Sequence, residues 1–153
     1  YGPSAVNLPY NVSVAKVDHY LFRNINSYWS SWIQRDKTEF MKTWKLLLIP
    51  GIAEWVVLGM ARQLYTLETG EITSKSRAGY YCISQLPCDF LPIFNEVLEN
   101  RKAKKSFPVL KSYSVSFSIS RAKKVIKVCS YILDQFNTRY DEKYNQQIAR
   151  LYE

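Results

Sequence analysis

Residues 53–70 read AEWVVLGMARQLYTLETG. Val56, Met60, Leu64 and Leu67 fall at steps of three and four, one face of an α-helix, and Trp55, Leu58 and Tyr65 make a second apolar stripe. A helix that is apolar on two sides is covered on two sides, so this segment is expected at the centre of a bundle. Gly70 suits the left-handed residue just past its end. The wider apolar run, Leu46 to Met60, is cut by Pro50, Gly51 and Glu54, too broken to span a bilayer.

On the N-terminal side, Tyr1 to Val12 is extended by Gly2, Pro3 and Pro9, and Ser13 has the chemistry of an N-cap. Val14, Val17, Leu21, Ile25, Trp29 and Trp32 then share one face of a helix running to about Arg35. Asp36 to Glu39 is polar and reads as a loop or helix start. Phe40 to Leu48 fits a short helix stopped by Pro50. On the C-terminal side, Ser74 caps a short helix through Ala78 and Cys82 that Pro87 ends near Leu86. A further helix carries Phe90, Phe94, Val97 and Leu98. Lys102 to Tyr113 is a basic connector containing Pro108. A long helix follows, marked by Val115, Ile119, Ala122, Val125, Ile126, Cys129, Ile132, Leu133 and Phe136, with Lys123, Lys124 and Lys127 on its other side. Tyr140, Tyr144, Ile148 and Leu151 continue or restart it. Ser112 to Ile119 is the one ambiguous, strand-like run. The expected fold is an all-α antiparallel bundle of five to six helices: residues 1–12 as an interdomain linker, residues 13–153 as a single helical domain with a basic C-terminal third.

The length of 153 residues suits one domain with a proper core. The net charge of +8 is uneven. Residues 1–100 balance nine basic against nine acidic side chains, whereas residues 101–153 carry twelve basic and four acidic ones. A concentrated basic third points to an anionic partner. Cys82, Cys88 and Cys129 are odd in number and lack a C-x-x-C spacing, which reads as buried free thiols in a reducing cytoplasm. Residues 1–12 lack the basic start and apolar run of a signal peptide, so a cytoplasmic location is expected. His19 is the only histidine, and one imidazole with scattered thiols makes no zinc site.

The segment Arg62-Gln-Leu-Tyr-Thr-Leu-Glu-Thr-Gly-Glu-Ile-Thr-Ser-Lys75, followed by Ala78 and then Leu86-Pro87, resembles a family signature. It is similar to the C-terminal domain of the streptomycin/spectinomycin (aminoglycoside) adenylyltransferases and their uncharacterised nucleotidyltransferase relatives. There a helix ends in Arg-x-x-Tyr-Thr-x-x-Thr-Gly-x-Ile, continues x-x-Lys-x-x-Ala and reaches a Leu-Pro. Tyr1-Gly2-Pro3-Ser4-Ala5 resembles the link between that family's two domains. The resemblance covers residues 1 to about 136. It implies a two-domain parent enzyme that transfers AMP from ATP to an antibiotic hydroxyl. An N-terminal nucleotidyltransferase domain would hold magnesium and the triphosphate, and the helical domain would close the cleft.

The Gly-Ser turn and paired Asp residues of such a catalytic domain are not in this sequence: Asp18, Asp36, Asp89, Asp134 and Asp141 are scattered. Phosphoryl chemistry needs clustered carboxylates to hold the metal. The chain alone is therefore expected to bind no ATP–magnesium cofactor pair and to be inactive without its N-terminal partner domain. The alternative is a stand-alone basic helical module that sets Lys123, Lys124 and Lys127 on an anionic partner; nucleic acid is not the expected one.

Individual residues follow from the resemblance. Lys75 matches the family lysine that touches the nucleotide phosphates, and an ammonium at a helix start reinforces its exposed N–H groups. Arg101, near the place of a family tyrosine that contacts nucleotide, offers a planar fork for phosphate. Trp32 is the candidate to stack on the acceptor, with Glu71 as its acidic contact and Glu68 as the other acid flanking the Gly70 turn, although packing is the commoner fate of such a tryptophan and solvation of such acids. Ile52 stands where the family places an aspartate against the drug's cationic groups, and Glu54 is two residues on. A small cationic acceptor such as an aminocyclitol therefore lacks its usual acid. Arg62, inside an apolar helix, is expected in a structural ion pair. Tyr65 and Thr69 are expected to pack and to bond the helix end.

Overall fold

A computed structural model describes residues 13–38, 50–102 and 115–149 of the chain. The described residues form helices and turns with no strand, as the periodicity requires. In chain order they are α1 (Val14–Asn24), a π-helical turn (Ile25–Trp29), α2 (Ser30–Thr38), α3 (Pro50–Thr69), α4 (Lys75–Gln85), a 3-10 turn (Cys88–Phe90), α5 (Leu91–Lys102) and α6 (Val115–Ala149). The linker expected over 1–12, the short helix over 40–48 and most of the basic connector lie outside the described residues.

The central position expected of residues 53–69 is observed. Ala53, Val56, Val57, Leu58, Met60, Ala61, Leu64, Tyr65 and Leu67 of α3 are all buried, and α1, the π turn, α4, α5 and α6 all pack on it. The helix starts at Pro50, three residues before the expected start. Proline fits a first helical turn, where its missing N–H has no partner to lose. The C-terminal end is as expected: Gly70 has φ 72° and donates its N–H to the Thr66 carbonyl at 2.9 Å.

The first helix runs past Arg35 to Thr38, so the stretch read as a loop or helix start continues that helix as far as it is described. Its π turn widens the backbone by one residue, which suits the steps of four between the buried Ile25, Trp29 and Ile33. Ser13 caps it as expected, its Oγ accepting from the Lys16 N–H. The apolar stripe does not bury from its start. Val14 is exposed and the buried residue of the first two turns is Asp18. Ser74 caps α4 through the Arg77 N–H at 3.2 Å. Pro87 follows its last turn, and Phe90 sits in the 3-10 turn instead of in α5.

The ambiguous run before Ile119 is helical from Val115 on. Ala122, Val125, Cys129, Ile132 and Phe136 bury one row of α6, while Lys123, Lys124 and Lys127 are exposed on the other side. The helix does not restart after Phe136. Tyr140 and Tyr144 extend the same steps of four, and Tyr140 stacks on Phe22 of α1 with ring centroids 4.3 Å apart. Apolar burial of this kind contributes about 25 cal/mol per Å2 and is the main force holding the helices together.

Candidate functional site

The central helix is not covered all round. Gly51, Trp55 and Arg62 are exposed at steps of four and seven, which places them on one strip of α3. One flank of the strip is the π turn. Trp29 lies so close over Gly59 that a Cβ there would meet its ring at 2.8 Å, so the absence of a side chain is what lets the ring in. Trp29 and Trp55 have ring centroids 5.0 Å apart, and Tyr28 and Trp32 meet Trp55 edge-on at 6.2 Å each. Tyr28 is 48% and Trp55 37% exposed, so this aromatic wall offers ring surface to solvent. Gln63 Nε2 donates to Asn24 Oδ1 at 2.7 Å and ties the wall to α3.

Charge lines the other flank. Arg101, in the last turn of α5, places Nη1 2.7 Å from Glu54 Oε1 and donates from Nε to Ser76 Oγ at 3.2 Å. Lys75 opens α4 beside them and is half-buried. Burial lowers its pKa, Glu54 opposes the fall, and the Arg101 and Arg62 guanidiniums add to it. Among the described residues, Lys75 thus feels two guanidiniums, Arg101 and Arg62, and one carboxylate, Glu54. The arrangement leaves positive charge in surplus, partly withdrawn from water, at a helix N-terminus whose dipole has the same sign. A surplus of this kind is complementary to negative charge, and an anion placed there would offset the desolvation of Lys75.

The structure brings Lys75 and Arg101 together but does not bring Trp32 and Glu71 together. Trp32 joins the aromatic wall at Trp55. Glu71 belongs to the turn after α3, where its carboxylate accepts from Tyr65 Oη at 3.0 Å and faces Arg77 at 3.8 Å. Trp55 and Tyr65 are ten residues apart on α3, about 15 Å along its axis. Glu71 is therefore a neighbour of the Lys75 turn and not of the tryptophans.

Thr69 does close the helix end, donating to the Tyr65 carbonyl and accepting from the Glu71 N–H. Tyr65 is buried, as expected. Arg62 departs from expectation. Its side chain is exposed and no ion pair to it is seen among the described residues, because its position falls on the uncovered strip. Ile52 is half-buried, and Glu54 points its charge at Arg101 instead of at the aromatic wall.

Some residues that matter carried little signal in the sequence. Asp18 is 1% exposed, and its Oδ2 takes Lys143 Nζ at 2.7 Å and Tyr144 Oη at 3.1 Å. Glu68 pairs with Arg139 and accepts from Tyr81 Oη. The one available clue was that Asp18 sits on the apolar row of Leu21 and Ile25. Its partners lie more than a hundred residues away, and no spacing reveals them.

Lys123, Lys124 and Lys127 are exposed on α6, with Lys127 Nζ 6.0 Å from the Phe90 ring centroid. Cys82 and Cys129 are buried and Cys88 is exposed. Cys88 departs from the expected burial because it opens the 3-10 turn at the surface. Burial pushes the Cys82 thiol up to about 12. Among the described residues no three carboxylate, imidazole or thiol groups gather where a metal ion could be held. Nor is any described helix long and apolar enough to cross a membrane.

Residues 44–112 match the family model of the aminoglycoside adenylyltransferase C-terminal domain. The match spans α3, α4 and α5 in full, together with the turn that carries Lys75, and bears out the resemblance drawn from the Arg62–Lys75 motif. Comparison with curated proteins and with solved structures returns no match.

Proposed function

We propose, from the aminoglycoside adenylyltransferase C-terminal character of residues 44–112, that this chain is the nucleotide- and substrate-contacting domain of an ATP-dependent O-nucleotidyltransferase. Lys75 and Arg101 take the phosphates of ATP, with Ser76 Oγ as a further polar contact. Trp32, backed by Trp55 and Tyr28, forms the wall against which the acceptor lies. Glu71 stands at the lip of the Lys75 turn as an acidic group for an acceptor that reaches it. The chemistry of the donors fits this division. Guanidinium and ammonium groups bind phosphate oxygens by charge-assisted hydrogen bonds, and aromatic rings stack on flat or ring-shaped groups. ATP supplies the adenylyl group, and the carboxylates that hold its magnesium come from an N-terminal nucleotidyltransferase partner domain. This chain's part is to neutralise phosphate charge and to orient both ligands.

The observation that carries this reading is the excess of cations at the start of α4: Arg101 bonds Ser76 Oγ and pairs with Glu54, and the charges of Arg101 and Arg62 both bear on the half-buried Lys75, with Glu54 as the opposing acid among the described residues. Titration of the chain with tripolyphosphate in the absence of magnesium, followed by calorimetry, tests it. Lys75→Ala and Arg101→Ala are each expected to weaken this binding about tenfold, the size of one lost charge-assisted contact. Binding should also weaken as salt rises. Because Lys75 has a lowered pKa, the affinity of the native chain should begin to fall below pH 10.5 as the ammonium loses its proton, and Lys75→Arg should remove that fall. Unchanged affinities in both alanine variants would remove the cluster from the site.

A further inference from the structure

Three buried or half-buried interactions converge on the last turn of α3. Lys143 Nζ donates to the Leu67 carbonyl at 2.9 Å while it pairs with Asp18 Oδ2 at 2.7 Å. One helical turn earlier on α6, Arg139 pairs with Glu68, and Glu68 accepts from Tyr81 Oη of α4. Tyr144 adds a hydrogen bond to the same Asp18 oxygen, while Asp18 Oδ1 is buried with no hydrogen-bond partner. Leu67 and Glu68 immediately precede Thr69 and Gly70, the turn that leads into Lys75.

Stability alone does not account for this arrangement. A buried ion pair is weak in net terms, because desolvation offsets most of the Coulomb attraction, and an apolar pair of the same size holds a fold as well or better. What an ion pair has and an apolar contact lacks is direction. The buried row of α6, repeating at three and four residues, would be nearly satisfied by a slide of one turn, about 5.4 Å, along α3. Asp18 and the Leu67 carbonyl would not be, since both need Lys143 at one register.

We infer that Asp18 and Lys143, with Arg139 and Glu68 one turn away, are positioning residues that fix the Gly70 turn and so set Lys75 in the phosphate seat. The inference rests on the proposed role of Lys75. It concerns residues on α1 and α6 that touch no ligand.

The test is the affinity of the purified chain for tripolyphosphate, measured together with its melting temperature. Replacing both partners, Asp18→Leu with Lys143→Met, is expected to leave the melting temperature within a few degrees and to raise the Kd about tenfold. Lys143→Arg, which keeps charge and donors, should bind nearly as the native chain does. Asp18→Asn, the smallest change to the pair, provides a second reading if the double variant does not fold, with an expected loss of a few-fold. A folded double variant, or a folded Asp18→Asn, that binds tripolyphosphate as the native chain does would reduce the pair to a structural role. A native affinity that Lys75→Ala leaves unchanged is a different failure, because it removes the phosphate seat itself and the inference with it.

Discussion

Around Lys75, Arg101 and Arg62 add positive charge against one carboxylate among the described residues, Glu54, and all three cations keep some contact with water. At the Leu67 end, two cations face two carboxylates, and Asp18 is sealed inside. The same side-chain chemistry is balanced where helices are locked together and left unbalanced at the proposed phosphate seat. A buried charge without a partner is too costly to keep, so compensation at the closed end is a condition of folding. At the half-open end, solvent screens the surplus, and a cationic site can be held ready without unfolding the domain.

The largest effect is expected from breaking the balance at the closed end. Lys143→Met leaves the Asp18 carboxylate buried with only Tyr144 to bond it, and should lower stability by about 3 kcal/mol in denaturant unfolding. A loss under about 1 kcal/mol would mean that the pair is solvated and the contrast between the two ends is overstated. Next in size is Gly59→Ala. The added Cβ collides with the Trp29 ring, which must shift within its packed surroundings, so a loss of about 1–3 kcal/mol is expected. Near-UV circular dichroism should report the displaced tryptophan.

At the open end, Glu54→Gln removes one acid from among three cations. The half-exposed pair it breaks is worth about 1 kcal/mol or less in stability. Tripolyphosphate affinity should rise a few-fold, and a fall would mean that Glu54 orients Arg101 more than it competes for it. The smallest effect concerns Tyr144, whose pKa is pushed up to about 12 by burial first and then by the charge and hydrogen bond of Asp18. Its ordinary value is 10.0. The unfolded chain therefore loses this proton first, so the stability contributed is full below pH 10 and is lost as pH rises toward 12. Tyr144→Phe should flatten that alkaline limb in melts taken between pH 10 and 11.

The two ends also differ in how much of them could be read before the fold was known. Lys75 was legible because it sits in a local motif, within fourteen residues of Arg62, where a cap, a glycine and a helix start lie next to one another in sequence. Arg101 was legible as a donor but not as the partner of Glu54, forty-seven residues away. Trp32 and Glu71 were chosen one by one for their chemistry. Nothing in their spacing told that α3 separates them by nearly three turns, or that Trp55 would join Trp32. The Asp18–Lys143 pair was hidden altogether, since helical periodicity treats a buried aspartate as a gap in a stripe.

By itself the sequence determined the helices, the central place of residues 53–69 and the turn at Gly70, since these follow from the steps of apolar residues and from the backbone freedom of a single glycine. It also determined the family motif that ends at Lys75. Only the tertiary structure decided which charges are compensated, which strip of α3 stays uncovered and which aromatic rings share a wall. Pairing and exposure depend on how helices distant in sequence are set against one another, and local periodicity carries no term for that distance.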